Sequence, residues 1–478
     1  MKIYDRLYGE LKFPPIIMEL LNCPGLLRLK DVRMANNQFV AFPAFATTSR
    51  YEHSLGVCYL AGVCANALEL SEKDKIELMM ACLYHDVSTP PFAHAMEEVL
   101  QAEFGFDHEQ NLKNLIMGTT GEYDGEMARI FQNEGLKLTS ICQSKKGRSL
   151  GLDRHRIAKI AAGDKDELLS PLLNGNGMDL DNIDNIIRAS SAMGLISTND
   201  IGLAYRLAHA FVLQDNQILY DGNYINDIRV WQNIRDLQYT AIFNSIEDFS
   251  YQTMIKKALR LLIEEGDTVP KIDRNSWKLT DSSIVHDFLL SNPKTHEIMD
   301  RVLLCKPYYC LGIIYVQGYG VSKYINLNLD EIEIIASNHF VETLGIVDTD
   351  SKNKKKQKKI KDLLTNPVVA NFYPDKRKRT LQQKAVAWNV ETTIDEENER
   401  PAQGALLGLF TPLSNSNYKE MDDADGKRRV VSFRQHNLVE LIQIFSDGIL
   451  KEFNISIYGG DVNGQANTDT TGDQLELF

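Results

Sequence analysis

A mainly α fold, with a smaller α+β region toward the C-terminus, is what this sequence predicts. Three observations carry the prediction. Apolar residues recur with helical period: Ile76, Met79, Met80 and Leu83 fall at i, i+3, i+4 and i+7, and Ile183, Ile186, Ile187 and Met193 form a second such stripe. The chain of 478 residues is 44% hydrophobic and 24% charged, enough apolar side chain for a sizeable core and too much for global disorder. From about residue 260 the texture changes, and Tyr309 to Val316 reads as β-rich.

Taken in order, the chain opens Met1-Lys2-Ile3-Tyr4-Asp5-Arg6, with charges where a secretory signal needs an apolar run. Arg50 to Val57 starts an apolar helical stretch, and the stripe from Ile76 to Leu83 leads into His85. Asn174-Gly175-Asn176-Gly177 favours a turn, after which residues 181–193 read as helix. Trp277-Lys278-Leu279-Thr280-Asp281 leads a further helical pattern before the β-rich stretch. A basic run at 352–361 and an acidic one at 395–399 read as solvated loops, and the tail 459–478, poor in apolar side chains, reads as disordered. The division expected is a core over 1–260, a C-terminal α+β domain over 261–458, and the tail.

Composition also excludes classes. No apolar run approaches the ~20 residues that a bilayer requires, so neither a transmembrane helix nor a membrane partner is expected, and a cytoplasmic location is. Seven scattered cysteines without a C-x-x-C pair read as reduced thiols. A net charge of -13 argues against a protein that coats nucleic acid, because such binding neutralises phosphates with surplus Lys and Arg.

The chemical signal is histidine. Four of the ten, His53, His85, His94 and His108, fall between positions 53 and 108. Two antiparallel helices would bring His53 beside His85 and Asp86, and imidazole plus carboxylate suits a divalent transition metal. A second His-Asp pair, His286-Asp287, has no histidine partner at helical distance and reads as a surface pair.

Arg50-Tyr51-Glu52-His53-Ser54-Leu55-Gly56-Val57, then His85-Asp86 with Pro91-Phe92-Ala93-His94, Asp107-His108-Glu109-Gln110, and Asp179-Leu180-Asp181 before Ile183-Asp184, resemble the deoxynucleoside triphosphate triphosphohydrolases among the HD-domain phosphohydrolases. Leu27-Arg28-Leu29-Lys30, Phe42-Pro43 and Lys278-Leu279-Thr280-Asp281 extend the likeness over roughly residues 4 to 345.

The resemblance implies an HD-domain multi-helix core in which His53, His85, Asp86 and Asp181 hold Mn, Fe, Co, Ni or Zn, with Mg accompanying the substrate triphosphate. Asp179 is the rival of Asp181, since either could cap the following helix. The same resemblance makes His94 the acid that protonates the leaving 5′-oxygen, Glu97 its orienting carboxylate, and His108, Arg50 and Arg235 phosphate contacts. Asn182 and Asn185 stand at substrate-binding positions. The activity implied is hydrolysis of deoxynucleoside triphosphates to deoxynucleoside and tripolyphosphate, in nucleotide depletion against viruses or phage, by a homo-oligomer with a nucleotide effector. Hydrolysis of another nucleotide or of a nucleic-acid end, and a degenerate nucleotide sensor, are the alternatives.

Departures from the pattern bear on the substrate. Ser88-Thr89 replaces a glycine and a phosphate-contacting histidine, and Thr89 before Pro90 reads as an N-cap with proline at the first helical position. Asn182, Asn185 and Ala189 replace a lysine, a tyrosine and an aspartate, and Met34-Ala35 replaces a pair that lies against deoxyribose.

Overall fold

The computed structural model describes residues 2–35, 42–119, 138–175, 177–196, 202–239, 242, 245–264 and 271–317, together with 333–334, 337, 369–374, 385–387, 390–392 and 404–411. The basic run 352–361, the acidic run 395–399 and the tail 459–478 lie outside the described residues.

The fold is mainly α. Only helices of eight residues or more are numbered. The first, α1 (Arg50–Ala67), opens with a reciprocal cap: the Ser49 hydroxyl accepts from Glu52 N–H and the Glu52 carboxylate accepts from Ser49 N–H, both at 3.3 Å. His53, Val57, Cys58, Leu60, Ala61 and Cys64 are all buried, so α1 is wrapped on most sides and forms the axis of the core. Against it packs α2 (Glu72–Tyr84), whose cap Ser71 accepts from Asp74 N–H at 3.1 Å.

The chain turns through His85–Ser88 and enters α3 (His94–Phe104) and α4 (His108–Met117). These helices end at Gly105 (φ +60°) and Gly118 (φ +74°), left-handed positions that glycine occupies without a Cβ penalty. α5 (Arg154–Ala161) packs on α2 and α4. α6 (Leu180–Ala192) carries the expected stripe inward, with Ile183, Ile186 and Ile187 buried, and lies between α1 and α7 (Ile225–Gln238). α8 (Ile246–Glu264) and α9 (Pro293–Leu303) follow.

Strands are few. β1 (Ile3–Asp5) and β2 (Gly9–Leu11) form an antiparallel pair. β3 (Phe211–Gln214) and β4 (Gln217–Asp221) make a hairpin that the sequence reading passed over, closed by Asp215 and Asn216 at φ +50° and +58°, residues that tolerate the left-handed conformation a two-residue turn needs. The expected β-rich stretch is β5 (Tyr309–Gln317). With β6 (Val369–Pro374) it flanks β9 (Gly404–Thr411) in an antiparallel sheet, whereas β7 (Ala385–Ala387) and β8 (Val390–Thr392) extend the sheet of β3 and β4.

The chain divides into two compact units. One gathers Met1–Ala241, Ala258–Cys305 and Arg379–Glu397, and the other Ile242–Lys257, Lys306–Lys378 and Asn398–Phe478. Residues 261–305, assigned from sequence to the C-terminal domain, therefore cluster with the first unit. No described helix is long and apolar enough to cross a membrane.

One local expectation is corrected. Thr89 does not cap a helix starting at Pro90, because residues 89–93 are not helical and α3 begins only at His94. The buried Thr89 hydroxyl instead donates to Asp86 Oδ1 at 2.9 Å, a nearer acceptor target that holds the metal-ligand candidate.

Candidate metal centre

Three helix ends build the site. His53 stands in the first turn of α1, His85 and Asp86 follow the last residue of α2, and Asp181 stands in the first turn of α6. His53 Nε2 lies 2.8 Å from Asp181 Oδ1 and 3.9 Å from Asp86 Oδ2; His85 Nε2 lies 3.6 Å and 3.7 Å from the same two oxygens. His53, His85 and Asp181 offer ligand atoms within 4.8 Å of one another.

Each imidazole is oriented from behind. His53 Nδ1 meets Asp184 Oδ1 at 2.8 Å, and His85 Nδ1 donates to the Cys82 carbonyl at 2.7 Å. Both Nε2 atoms therefore point into the cluster, the orientation that a metal-ligating imidazole needs once its Nε2 proton is lost. His85 Nε2 is buried and has no hydrogen-bond partner among the described residues. A buried polar atom left unmade is costly, and a divalent ion among two imidazoles and two carboxylates would satisfy it. The donor set fits a transition metal or zinc.

The electrostatics agree. Burial would depress His53, but hydrogen bonds to Asp181 and Asp184, with their charges, raise it to about 9, so proton and metal compete for Nε2. Asp86 is buried, yet the Arg50 guanidinium and the two histidines hold it well below the usual carboxylate range. Asp181 and Asp179 separate. Asp179 takes the cap: it accepts from Asn182 N–H at 2.7 Å, from the Asn182 amide at 2.9 Å and from Gly175 N–H at 3.0 Å, while burial and the Asp181 charge push it up. Asp181, 33% exposed, is left to the histidines: the hydrogen bond from His53 and the charge of both imidazoles overcome its desolvation and draw it down.

Beside this cluster stand the other expected residues. His94 Nδ1 lies 3.1 Å from Glu97 Oε2 across the first turn of α3, and the imidazole is 67% exposed, open to a ligand. Burial works against the Glu97 charge, but His94, His108 and Arg50 together keep it ionised and lowered. Burial lowers His108 in turn, whose ring nitrogens sit 3.1 and 3.2 Å from the Ser88 hydroxyl. Arg50 Nη1 donates to both Asp86 oxygens at 2.8 Å, so the expected phosphate grip is here committed to a metal-ligand candidate.

Other expected contacts are not drawn in. The Asn182 amide is taken by Asp179, and Asn185 is half-buried one turn along α6 from Asp181. Arg235 is buried on α7 with its guanidinium 4.2 Å from the Tyr239 ring, makes no hydrogen bond to the four converging side chains, and has Nη2 without a partner among the described residues. His286 and Asp287 are both exposed, as a surface pair should be.

Sequence reasoning missed what stands behind His53. Asp184 also accepts from Arg188 Nε at 2.8 Å and from Tyr8 OH at 2.7 Å, and Arg188 Nη1 donates to Asp5 at 2.8 Å. Helical spacing could have found Asp184, three residues after Asp181, and Arg188, four further on; Tyr8 and Asp5 arrive from far away in sequence. Gly56 lets this network close, since a Cβ there would fall inside contact distance of Asp184 Oδ2 and Arg188 Nη2.

Residues 50–142 match the HD domain family. Over 281 residues the chain is 27% identical to the deoxynucleoside triphosphate triphosphohydrolase SAMHD1 homolog of Dictyostelium discoideum, covering 56% of this chain and 48% of that protein. Over 119 residues it is 32% identical to the deoxynucleoside triphosphate triphosphohydrolase SAMHD1 of Bos taurus, covering 23% and 20%. A putative HD domain-containing protein of Acanthamoeba polyphaga mimivirus is 22% identical over 307 residues, 58% of this chain and 62% of that one. The chain thus spans half or less of the length of the two triphosphohydrolases it matches. Among solved structures, a hypothetical protein from Aquifex aeolicus shares the fold, with a TM-score of 0.57 at 17% identity over 86% of this chain and 96% of that one. The chain thus matches the HD domain family over residues 50–142 and is similar in sequence to the deoxynucleoside triphosphate triphosphohydrolases.

Proposed function

We propose that this HD-domain chain hydrolyses deoxynucleoside triphosphates to deoxynucleoside and tripolyphosphate. The observation that carries the reading is the convergence of His53, His85, Asp86 and Asp181, with the buried His85 Nε2 left without a hydrogen-bond partner among the described residues. Those four side chains would hold the divalent ion, which when bound lowers the pKa of water and withdraws charge from a phosphoryl oxygen. His94 stands ready to deliver a proton to the leaving 5′-oxygen as water attacks the α-phosphorus and the P–O5′ bond breaks. Glu97, held ionised 3.1 Å away, orients the His94 ring. His108 and Arg50 meet the phosphates, with Arg50 shared between substrate and Asp86.

Metal-loaded protein incubated with the four dNTPs, singly and mixed, tests this by mass spectrometry of products. Deoxynucleoside and tripolyphosphate are expected; pyrophosphate, or no turnover with any of Mn, Fe, Co, Ni or Zn, overturns it. Turnover only in mixtures would reveal a nucleotide effector, and sedimentation would give the homo-oligomer that belongs to the same reading, as do a cytoplasmic location and a role in antiviral nucleotide depletion. A second reading, hydrolysis of another nucleotide or of a nucleic-acid end, is favoured by Asn182, whose amide is held by Asp179 and supplies no cation for a triphosphate. Parallel NTP and oligonucleotide panels separate the two.

A further inference from the structure

The loop from Asp86 to His94 joins a metal-ligand candidate to the candidate acid, and it is tied at several points to residues 277–281, far along the chain. Arg28, 3% exposed, donates from Nη2 to the carbonyls of Val87 (2.9 Å) and Thr89 (2.7 Å), and from Nη1 to those of Trp277 (3.0 Å) and Leu279 (2.9 Å). Further on, Asp281, 5% exposed, accepts from Phe92 N–H through Oδ1 and from Arg33 N–H through Oδ2, each at 2.9 Å. Asp281 is itself fixed by the reciprocal cap of Thr280 and Ser283.

Phe92 needs such a tie. It and Ala93 are consecutive non-glycine residues at φ +55° and +46°, conformations that persist only where the surroundings impose them. Ala93 caps α3 without a side-chain hydrogen bond, and His94 is the first residue of that helix. A cavity of about 80 Å³ lined by Arg33, Ala35, Phe92, Asp281 and Val285 among others lies beside the turn, so packing alone leaves it room to shift.

We propose that Asp281 is a positioning residue for the reaction: by binding Phe92 N–H it holds the strained turn that aims His94, and by binding Arg33 N–H it ties that turn to the segment leading into Met34 and Ala35. This rests on the reading of His94 as the acid. Asp281 touches no reacting atom and works through the backbone.

The test compares Asp281→Ala and Asp281→Asn with wild type in the metal-loaded full chain. The alanine variant should keep its metal and a KM within about twofold, and lose about 10- to 100-fold in kcat, the scale of a misplaced group. Asp281→Asn, which retains one acceptor oxygen, should fall between. In a His94→Ala background, Asp281→Ala should add almost no further loss, because the two act on one step. Independently of turnover, amide exchange at Phe92 should quicken in Asp281→Ala while Leu83, inside α2, keeps its protection. Unchanged kcat, fully additive losses, or loss of metal along with activity overturns the proposal. If wild type turns over no dNTP, the proposed function fails by itself, and the exchange measurement still decides whether Asp281 holds the turn: unchanged protection at Phe92 overturns it.

Discussion

His85→Ala and Asp86→Ala should each empty the centre of metal, because each removes a donor that converges on the cluster and a depleted donor set holds a divalent ion poorly against water. Elemental analysis of the purified variants measures this, with His286→Ala as the control that should keep wild-type content. His94→Ala should retain metal and lose about 10²- to 10⁴-fold in kcat, the usual worth of a general acid; an unchanged kcat would move the role to His108. Asp281 gives a pH signature. Burial pushes its carboxyl up to about 6 from 3.8, against the pull of the two backbone N–H groups. Between those values the folded state holds a proton that the unfolded chain has released, so stability falls as pH rises through that window. Relative to Asp281→Asn, wild type should lose about 2 kcal/mol from pH 4 to 6, out of about 3 kcal/mol over the whole titration at about 1.4 kcal/mol per unit. Chemical denaturation at stepped pH reads it, and a difference flat with pH would contradict the burial of that carboxyl.

Between α1 and α6 the close approach is made at one glycine. A methyl group at Gly56 would collide with the Asp184–Arg188 pair, and neither partner can swing away because Asp184 also holds His53 and Tyr8 and Arg188 also holds Asp5. Gly56→Ala should therefore cost about 1–3 kcal/mol, the range for overpacking a filled core, and loosen metal retention through His53. A thermal melt with metal analysis checks both, and wild-type values in both would mean the helices can part without disturbing the centre. The start of α3 makes the opposite case: Ala93 at φ +46° sits where glycine has no Cβ penalty. Ala93→Gly should raise stability by about 1 kcal/mol, read by chemical denaturation, and an unchanged or lower midpoint would contradict strain at that residue.

For the molecule as a whole, the proposed hydrolysis of nucleoside triphosphates carries an expectation of loose sugar discrimination at the positions where the family resemblance implies sugar contacts. Met34-Ala35 and the fully buried Ala189 offer no hydrogen bond to a ribose or deoxyribose hydroxyl. Apolar contact alone discriminates by only ~1–3 kcal/mol, so kcat/KM for a dNTP over its matching NTP should stay below about a thousandfold. A larger preference, above ~4 kcal/mol, would mean that other residues read the sugar.

The helical stripes on α2 and α6 and the fold class were legible in the sequence, because helical period is a local property of a chain, and the family resemblance singled out His53, His85, Asp86 and Asp181. Tertiary structure decided between Asp179 and Asp181, since both precede α6 and only the three-dimensional positions of His53 and Asn182 assign one to the metal cluster and the other to the cap. It also decided that Thr89 bonds Asp86 rather than capping a helix, that Arg50 pairs with Asp86, and that Tyr8, Asp5, Arg28 and Asp281 support the site. Apart from Thr89 and Asp86, those partners lie tens to hundreds of residues apart, and a buried hydrogen bond leaves no period or spacing in the sequence by which its two ends could be matched.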